Sequence, residues 1–239
     1  MKTNDLKIAI YADGADIDEM LEAYKKGFIK GFTTNPTLMK KAGVKSYTEF
    51  AKNVLSEITD MPISFEVFAD DFETMKKEAL ILSGYGKNVF VKIPITNSKG
   101  ESSIPLISEL SKEKVNLNIT AVFTIRQVEA VLEVLSGETE NIISVFAGRI
   151  ADTGVDPEII MSRTAELCRE KKGVMSLWAS CREVFNIIQA DRCGVDIITV
   201  TNDLLKKSAN IGKDLELLSL ETVQMFVRDG KSLGFSITI

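Results

Sequence analysis

Lys92 sits in the middle of a strongly apolar run, NVFVKIPI (88–95). If the run is a strand, side chains alternate in direction, so Phe90, Lys92 and Pro94 share one face and Val91 and Ile93 the other. A lysine buried in such a strand is costly unless it is paired or neutralised. Burial favours the free amine, and a free amine condenses with a carbonyl to give a Schiff base. The competing account is a lysine that snorkels to a rim or sits in a structural ion pair.

Other residues interrupt apolar runs in the same way. Asp13 closes KIAIYAD (7–13). Asp16 is better placed to cap the helix that follows, which leaves Asp13 free. Glu66 lies within ISFEVFA (63–69), with Phe65 and Val67 on the opposite face. Such a carboxylate either pairs with a cation, Lys92 being the obvious one, or has a raised pKa suited to proton transfer. In GFTTNPTL (31–38), Pro36 forces Asn35 into an extended conformation and is suited to start a helix. Asn35 serves either a substrate hydroxyl or an Asx-turn. Asn118 and Thr120 alternate with Leu117 and Ile119, so the polar pair shares one face. Arg149, with Ser180 and Arg182, suggests an anion site near a helix start, although surface ion pairs would also account for either arginine.

These residues need elements to hold them. Short runs rich in Val, Ile, Phe and Thr recur at 7–13, 28–35, 63–69, 88–95, 115–123, 141–148, 174–180 and 196–201. Most are continuously apolar, as strands buried on both faces of a parallel sheet are. Amphipathic stretches lie between them at 16–26, 71–83, 126–135, 157–172 and 182–193. Pro157 suits a first helical turn, and Gly173 falls just past a helix end. Eight strand–helix units of roughly 30 residues predict an α/β protein, a (β/α)8 TIM barrel. A doubly wound open sheet is the alternative, since periodicity does not show closure. Asp13, Asn35, Glu66, Lys92, Asn118, Thr120, Ser144, Arg149, Ser180 and Thr199 all lie within or just after the C-terminal part of a run. A barrel gathers such positions round one mouth. The expected organisation is one barrel domain over 1–239, with a C-terminal helical extension at about 202–239.

Composition removes several function classes. The chain has 239 residues and no histidine, which excludes Ser-His-Asp and Cys-His mechanisms and the commonest zinc ligand. A net charge of −5 with no basic tract argues against nucleic-acid binding. Cys168, Cys181 and Cys193 form no C-x-x-C pair and read as reduced thiols of a cytoplasmic protein. The first residues, MKTNDLKIAIYADGAD, hold too short an apolar stretch for a signal peptide. No window approaches the roughly 18 apolar residues of a membrane span.

The segments YADGADIDEM, GFTTNPTLMKKAG, VFVKIPIT, NITAVF, SVFAGRI and WASCR resemble the transaldolase family in order and spacing. The likeness is greatest to the small-subunit branch, which includes the fructose-6-phosphate aldolases. It spans nearly the whole chain, and GFTTNPTL together with VFVKIPIT is highly specific.

The resemblance implies that Lys92 is the Schiff-base lysine and Asp13 the acid–base group at the carbon–carbon bond. Glu66 would act through a water held with help from Thr120. Asn35 and Asn118 would hold the hydroxyls of the dihydroxyacetone unit, and Thr34 would be a further substrate-binding residue. Arg149, Ser180 and Arg182 would bind phosphate, while Ser144 and Phe146 would line the pocket. No metal or organic cofactor is implied. The expected activity is transfer of a dihydroxyacetone unit between sugar phosphates such as fructose 6-phosphate and erythrose 4-phosphate, in the manner of the pentose phosphate pathway. A fructose-6-phosphate aldolase and a catalytically idle sugar-phosphate binder are the alternatives. Within the family, glutamate at 66 and phenylalanine at 146 accompany transfer more than cleavage. Phe32, Val145, Val122, Phe123, Ala121 and Trp178 depart from the usual pattern and leave the acceptor sugar open. The C-terminal helix implies a homo-oligomer, a pentamer or decamer by the branch's habit.

Overall fold

A computed structural model describes residues 5–234. Eight parallel strands close into a barrel in sequence order. They are β1 (Ala9–Asp13), β2 (Gly31–Thr33), β3 (Ile63–Glu66), β4 (Val89–Pro94), β5 (Leu117–Val122), β6 (Asn141–Val145), β7 (Val174–Trp178) and β8 (Ile197–Thr201). Every predicted run holds one of them. Closure is direct, because β1 pairs with both β2 and β8. The open-sheet alternative is thereby set aside.

The surrounding helices are α1 (Ile17–Lys26), α2 (Pro36–Lys41), α3 (Tyr47–Glu57), α4 (Phe72–Ser83), α5 (Ile104–Lys112), α6 (Ile125–Val134), α7 (Ala147–Ala151), α8 (Glu158–Glu170), α9 (Phe185–Arg192), α10 (Asn202–Lys207) and α11 (Leu215–Leu233). Asp16 caps α1 by accepting from the Glu19 amide, as its position predicts. Pro36 opens α2. Pro157 precedes the first turn of α8, and Gly173 follows with φ +74°, where a β-carbon would lie 2.5 Å from the Thr139 carbonyl oxygen. The predicted helix at 182–193 is shorter than expected. The Asn186 side chain accepts from the amides of Arg182 and Glu183 and holds them in a loop, so α9 begins at Phe185.

Two apolar layers result. Tyr11, Phe90, Ile142, Leu177, Ala179 and Ile197 fill the barrel interior. The larger layer lies between strands and helices and takes the alternate strand residues, among them Phe65, Val91, Ile93, Leu117, Ile119 and Ile198. This alternation sends one side chain in two toward the barrel axis. The plug of apolar side chains means that inward polar residues collect above it, at the C-terminal mouth.

The C-terminal extension behaves differently. After α10 and a short 3-10 turn at Ser208–Asn210, Asp214 caps α11, none of whose residues is buried. The last part of the extension expected at about 202–239, residues 235–239, lies outside the described residues. No helix among the described residues is long and apolar enough to cross a membrane.

Candidate active site

The mouth holds a cavity of about 420 Å³, lined by Asp13, Asn35, Glu66, Lys92, Thr120, Ser144, Phe146, Arg149 and Ser180, among others. Side chains from all eight strands or the loops after them thus meet, Thr199 of β8 among them, although they are spread over some 190 positions of sequence by the order of roughly 30-residue units.

Lys92 points inward from the middle of β4 and is only 6% exposed. Its Nζ lies 3.1 Å from Glu66 Oε2 and donates to the Thr34 carbonyl oxygen at 2.9 Å. The ion pair follows from register, since Glu66 on β3 is the neighbour of Lys92 on β4. The Tyr47 hydroxyl donates to the Glu66 carbonyl oxygen at 2.8 Å and ties α3 to the end of β3.

Asp13 ends β1 and accepts from the Thr33 hydroxyl at 2.7 Å. Thr33 also contacts the Thr199 hydroxyl, which links β1, β2 and β8. Burial pushes the Asp13 carboxyl above the usual range, and Glu66 adds to this. The nearby Lys92 charge and the Thr33 bond act in the opposite direction without cancelling it. Asp13 is therefore a carboxyl poised to exchange protons nearer neutrality than an ordinary aspartate.

Thr120 faces the cavity from β5, and its Oγ1 is buried with no hydrogen-bond partner among the described residues. Beside it, β5 shifts register between Ile119 and Val122, and Ala121 takes φ 57°. The irregularity turns Ala121 toward the cavity. Asn35 caps α2, accepting from the Leu38 amide through Oδ1, and still lines the cavity. Its Asx-type bond and its place in the wall coexist.

Across the mouth, Arg149 on α7 lies over the Phe146 ring, 5.0 Å from its centroid, and Ser180 stands beyond β7 in a left-handed conformation. Cys181, next in sequence, is a buried thiol whose pKa is pushed up to about 12 by burial, so it is no nucleophile at neutral pH.

Three predicted contacts do not line the cavity. Thr34 is fully buried, and its hydroxyl donates to the Ser64 carbonyl oxygen; only its own carbonyl reaches Lys92. Asn118 lies beneath the wall, donating to Ser64 Oγ at 3.0 Å and accepting from Ser144 Oγ at 2.6 Å. Its amide is engaged with neighbouring hydroxyls and holds Ser144 in place. Arg182 forms a two-point pair with Asp152, with Nε donating to Oδ1 at 3.2 Å. Four of the departures from the family pattern are also placed away from the cavity. Phe32, Val122, Val145 and Trp178 belong to the layer between strands and helices, so they do not touch a bound sugar. Of the rest, Ala121 lines the cavity, and Phe123 packs its ring 5.7 Å from that of Phe146.

Sequence reasoning missed Thr33, Ser64, Leu177 and Ala179 as parts of the site. The available signal was alternation: Ser64 is two residues before Glu66, and Leu177 and Ala179 flank Trp178 on the other face.

Comparison with known proteins shows the family. The sequence model of the family described as transaldolase/fructose-6-phosphate aldolase matches residues 10–237. A probable transaldolase of Thermoplasma acidophilum is 34% identical over 227 residues, covering 93% of this chain and 98% of its own. One from Thermoanaerobacter sp. strain X514 is 32% identical, covering 95% and 99%, and one from Methanococcus maripaludis strain C7 is 34% identical, covering 84% and 89%. With a match running through all eight strands and the lysine-bearing mouth they build, the chain belongs to the transaldolase/fructose-6-phosphate aldolase family.

Proposed function

We propose that this chain is a Schiff-base transaldolase that moves a dihydroxyacetone unit between sugar phosphates, fructose 6-phosphate serving as donor and erythrose 4-phosphate as acceptor. The observation that carries the reading is Lys92 itself: an inward-facing, nearly buried amine at the wall of a sugar-sized cavity, flanked by two carboxyl groups.

In this reading Glu66, 3.1 Å from Nζ, takes the amine's proton. The Lys92 nitrogen attacks the ketose carbonyl carbon, and loss of water leaves an iminium on the lysine. Asp13 removes the proton of the hydroxyl beyond the scissile bond, and that carbon–carbon bond breaks as the aldehyde forms. The bonding electrons flow into the iminium, giving an enamine, and the three-carbon unit stays on Lys92. An acceptor aldehyde then takes the unit by the same steps reversed. Thr120, whose hydroxyl has no partner among the described residues, holds a water with Glu66 for imine formation and hydrolysis. Asn35 orients the donor hydroxyls, and Arg149 with Ser180 takes the phosphate. These steps use only this chain's own side chains.

Glu66 and Phe146 favour transfer over release in this family. The test is a donor–acceptor assay. Sedoheptulose 7-phosphate formed from fructose 6-phosphate and erythrose 4-phosphate supports a transaldolase. Free dihydroxyacetone without an acceptor makes the chain an aldolase, and neither product makes it a sugar-phosphate binder.

In α11, Leu215, Leu220, Val223, Phe226 and Val227 are each more than half exposed, a stripe fit for a second copy of this chain. The chain acts as a homo-oligomer, pentameric or decameric. Three free cysteines fit a cytoplasmic setting.

A further inference from the structure

The two cavity groups that would meet an anion, Arg149 and Ser180, come from different βα units, the first from α7 after β6 and the second from the loop after β7. Something must fix the spacing between these units. They approach closely at Gly148. A β-carbon built there would lie 1.6 Å from the Ser180 carbonyl oxygen, 2.7 Å from its carbonyl carbon and 3.2 Å from its Cβ. The obstacle is backbone, which cannot rotate away as a side-chain tip can. The Gly148 amide also donates to the Ala179 carbonyl oxygen at 3.2 Å. Ser180 has φ 62°, a conformation unfavourable for a residue with a side chain. At the other end of α7, Asp152 pairs with Arg182. The short helix is therefore seated on the Ser180 loop at both ends.

We propose that Gly148 is a positioning residue for phosphate recognition: its missing side chain lets α7 seat against the Ser180 carbonyl, which holds the serine in its left-handed conformation and sets the Arg149–Ser180 spacing to that of one phosphate group. Gly148 touches no substrate. It acts through Ser180 and through Arg149, its neighbour in sequence. The inference rests on the proposed sugar-phosphate reading of this cavity, and it deepens that reading by naming what sets the preference for phosphorylated sugars.

The experiment compares the full-length wild type with Gly148→Ala in two ways. Calorimetric titration with inorganic phosphate reads the anion site without any chemistry at Lys92. Borohydride trapping with unphosphorylated dihydroxyacetone reads the lysine without the anion site. The proposal expects phosphate affinity to fall, and KM for fructose 6-phosphate to rise, by about tenfold or more. Trapping of dihydroxyacetone should be unchanged. Phosphate binding equal to wild type overturns the proposal. Parallel loss of dihydroxyacetone trapping in a folded Gly148→Ala also overturns it, since the glycine would then support the whole barrel mouth. If the alanine variant does not fold, Gly148→Ala/Ser180→Gly is compared with Ser180→Gly alone, because glycine at 180 lets the carbonyl move aside. Weaker phosphate binding by the double variant supports the positioning role, and equal binding overturns it. A wild type that binds phosphate yet traps no ketose refutes the Schiff-base reading while leaving the role of Gly148 to be read from phosphate alone.

Discussion

The barrel mouth and helix α11 are opposite departures from the same rule. At the mouth, polar groups are drawn inward: Lys92 is 6% exposed, and the Thr120 hydroxyl is buried with no partner among the described residues. On α11, apolar groups are turned outward, with Leu215 77% and Phe226 62% exposed. Each region carries groups that the other described residues do not satisfy, so each points to something beyond them. Buried polar groups converging on a cavity call for a small polar molecule. An apolar helix face without a partner calls for protein surface. The same reasoning gives different classes of answer because the mismatch has opposite sign.

Substitutions at the mouth and on α11 should therefore separate chemistry from assembly. The largest effect is expected at Lys92. Lys92→Met should reduce turnover to background while circular dichroism still shows a folded barrel, because Glu66 opens on the cavity and can be solvated there. Retained turnover would remove the mouth's claim to chemistry.

Next comes Asp13→Asn, which should lower kcat by about 10²–10⁴-fold. It should also raise thermal stability at neutral pH. Burial raises the Asp13 pKa in the folded state, so the folded protein binds that proton more tightly than the unfolded chain does. The cost of ionising Asp13 is absent below the unfolded pKa and grows as pH rises through the folded one. The melting-temperature advantage of Asp13→Asn should accordingly widen from acidic to neutral pH. An advantage independent of pH would contradict the burial argument.

A smaller loss is expected one layer down. Asn118→Ala strips partners from Ser64 and Ser144 and should cost about 1–3 kcal/mol in urea unfolding. Because Asn118 holds Ser144 from below the wall, the accompanying change should fall mainly on KM. The smallest effect on the chain itself is expected at α11. Phe226→Asp should change monomer stability by about 0.5 kcal/mol or less. Light scattering should nevertheless show the assembly falling to the 26.4 kDa chain. A wild type that already runs at 26.4 kDa would leave the exposed stripe without its proposed partner.

Much of this arrangement is legible in the sequence, for a physical reason. Strands buried on both faces are continuously apolar, so a charged residue inside one stands out, as Lys92 and Glu66 do. Alternation also places Asn118 and Thr120 on the inward face. What alternation does not give is depth. Asn118 and Thr120 differ by one step along β5, yet one lies beneath the cavity wall and the other forms it. Alternation also ends where the strand does, so the directions of Thr34 and Arg182, in or near loops, were not readable. Trp178 drew attention by size, although its neighbour Leu177 on the other face is the one that meets the cavity. The Gly148–Ser180 approach joins residues 32 positions apart through a backbone conformation, and no sequence pattern reports that.

The central claim is that Lys92 forms the covalent link to the sugar. Incubation with fructose 6-phosphate, reduction with borohydride and mass spectrometry of the digested protein test it most directly. The account predicts one reduced three-carbon adduct, on the peptide carrying Lys92 and absent from Lys92→Met. An unmodified Lys92 peptide from a folded, substrate-saturated protein would contradict it.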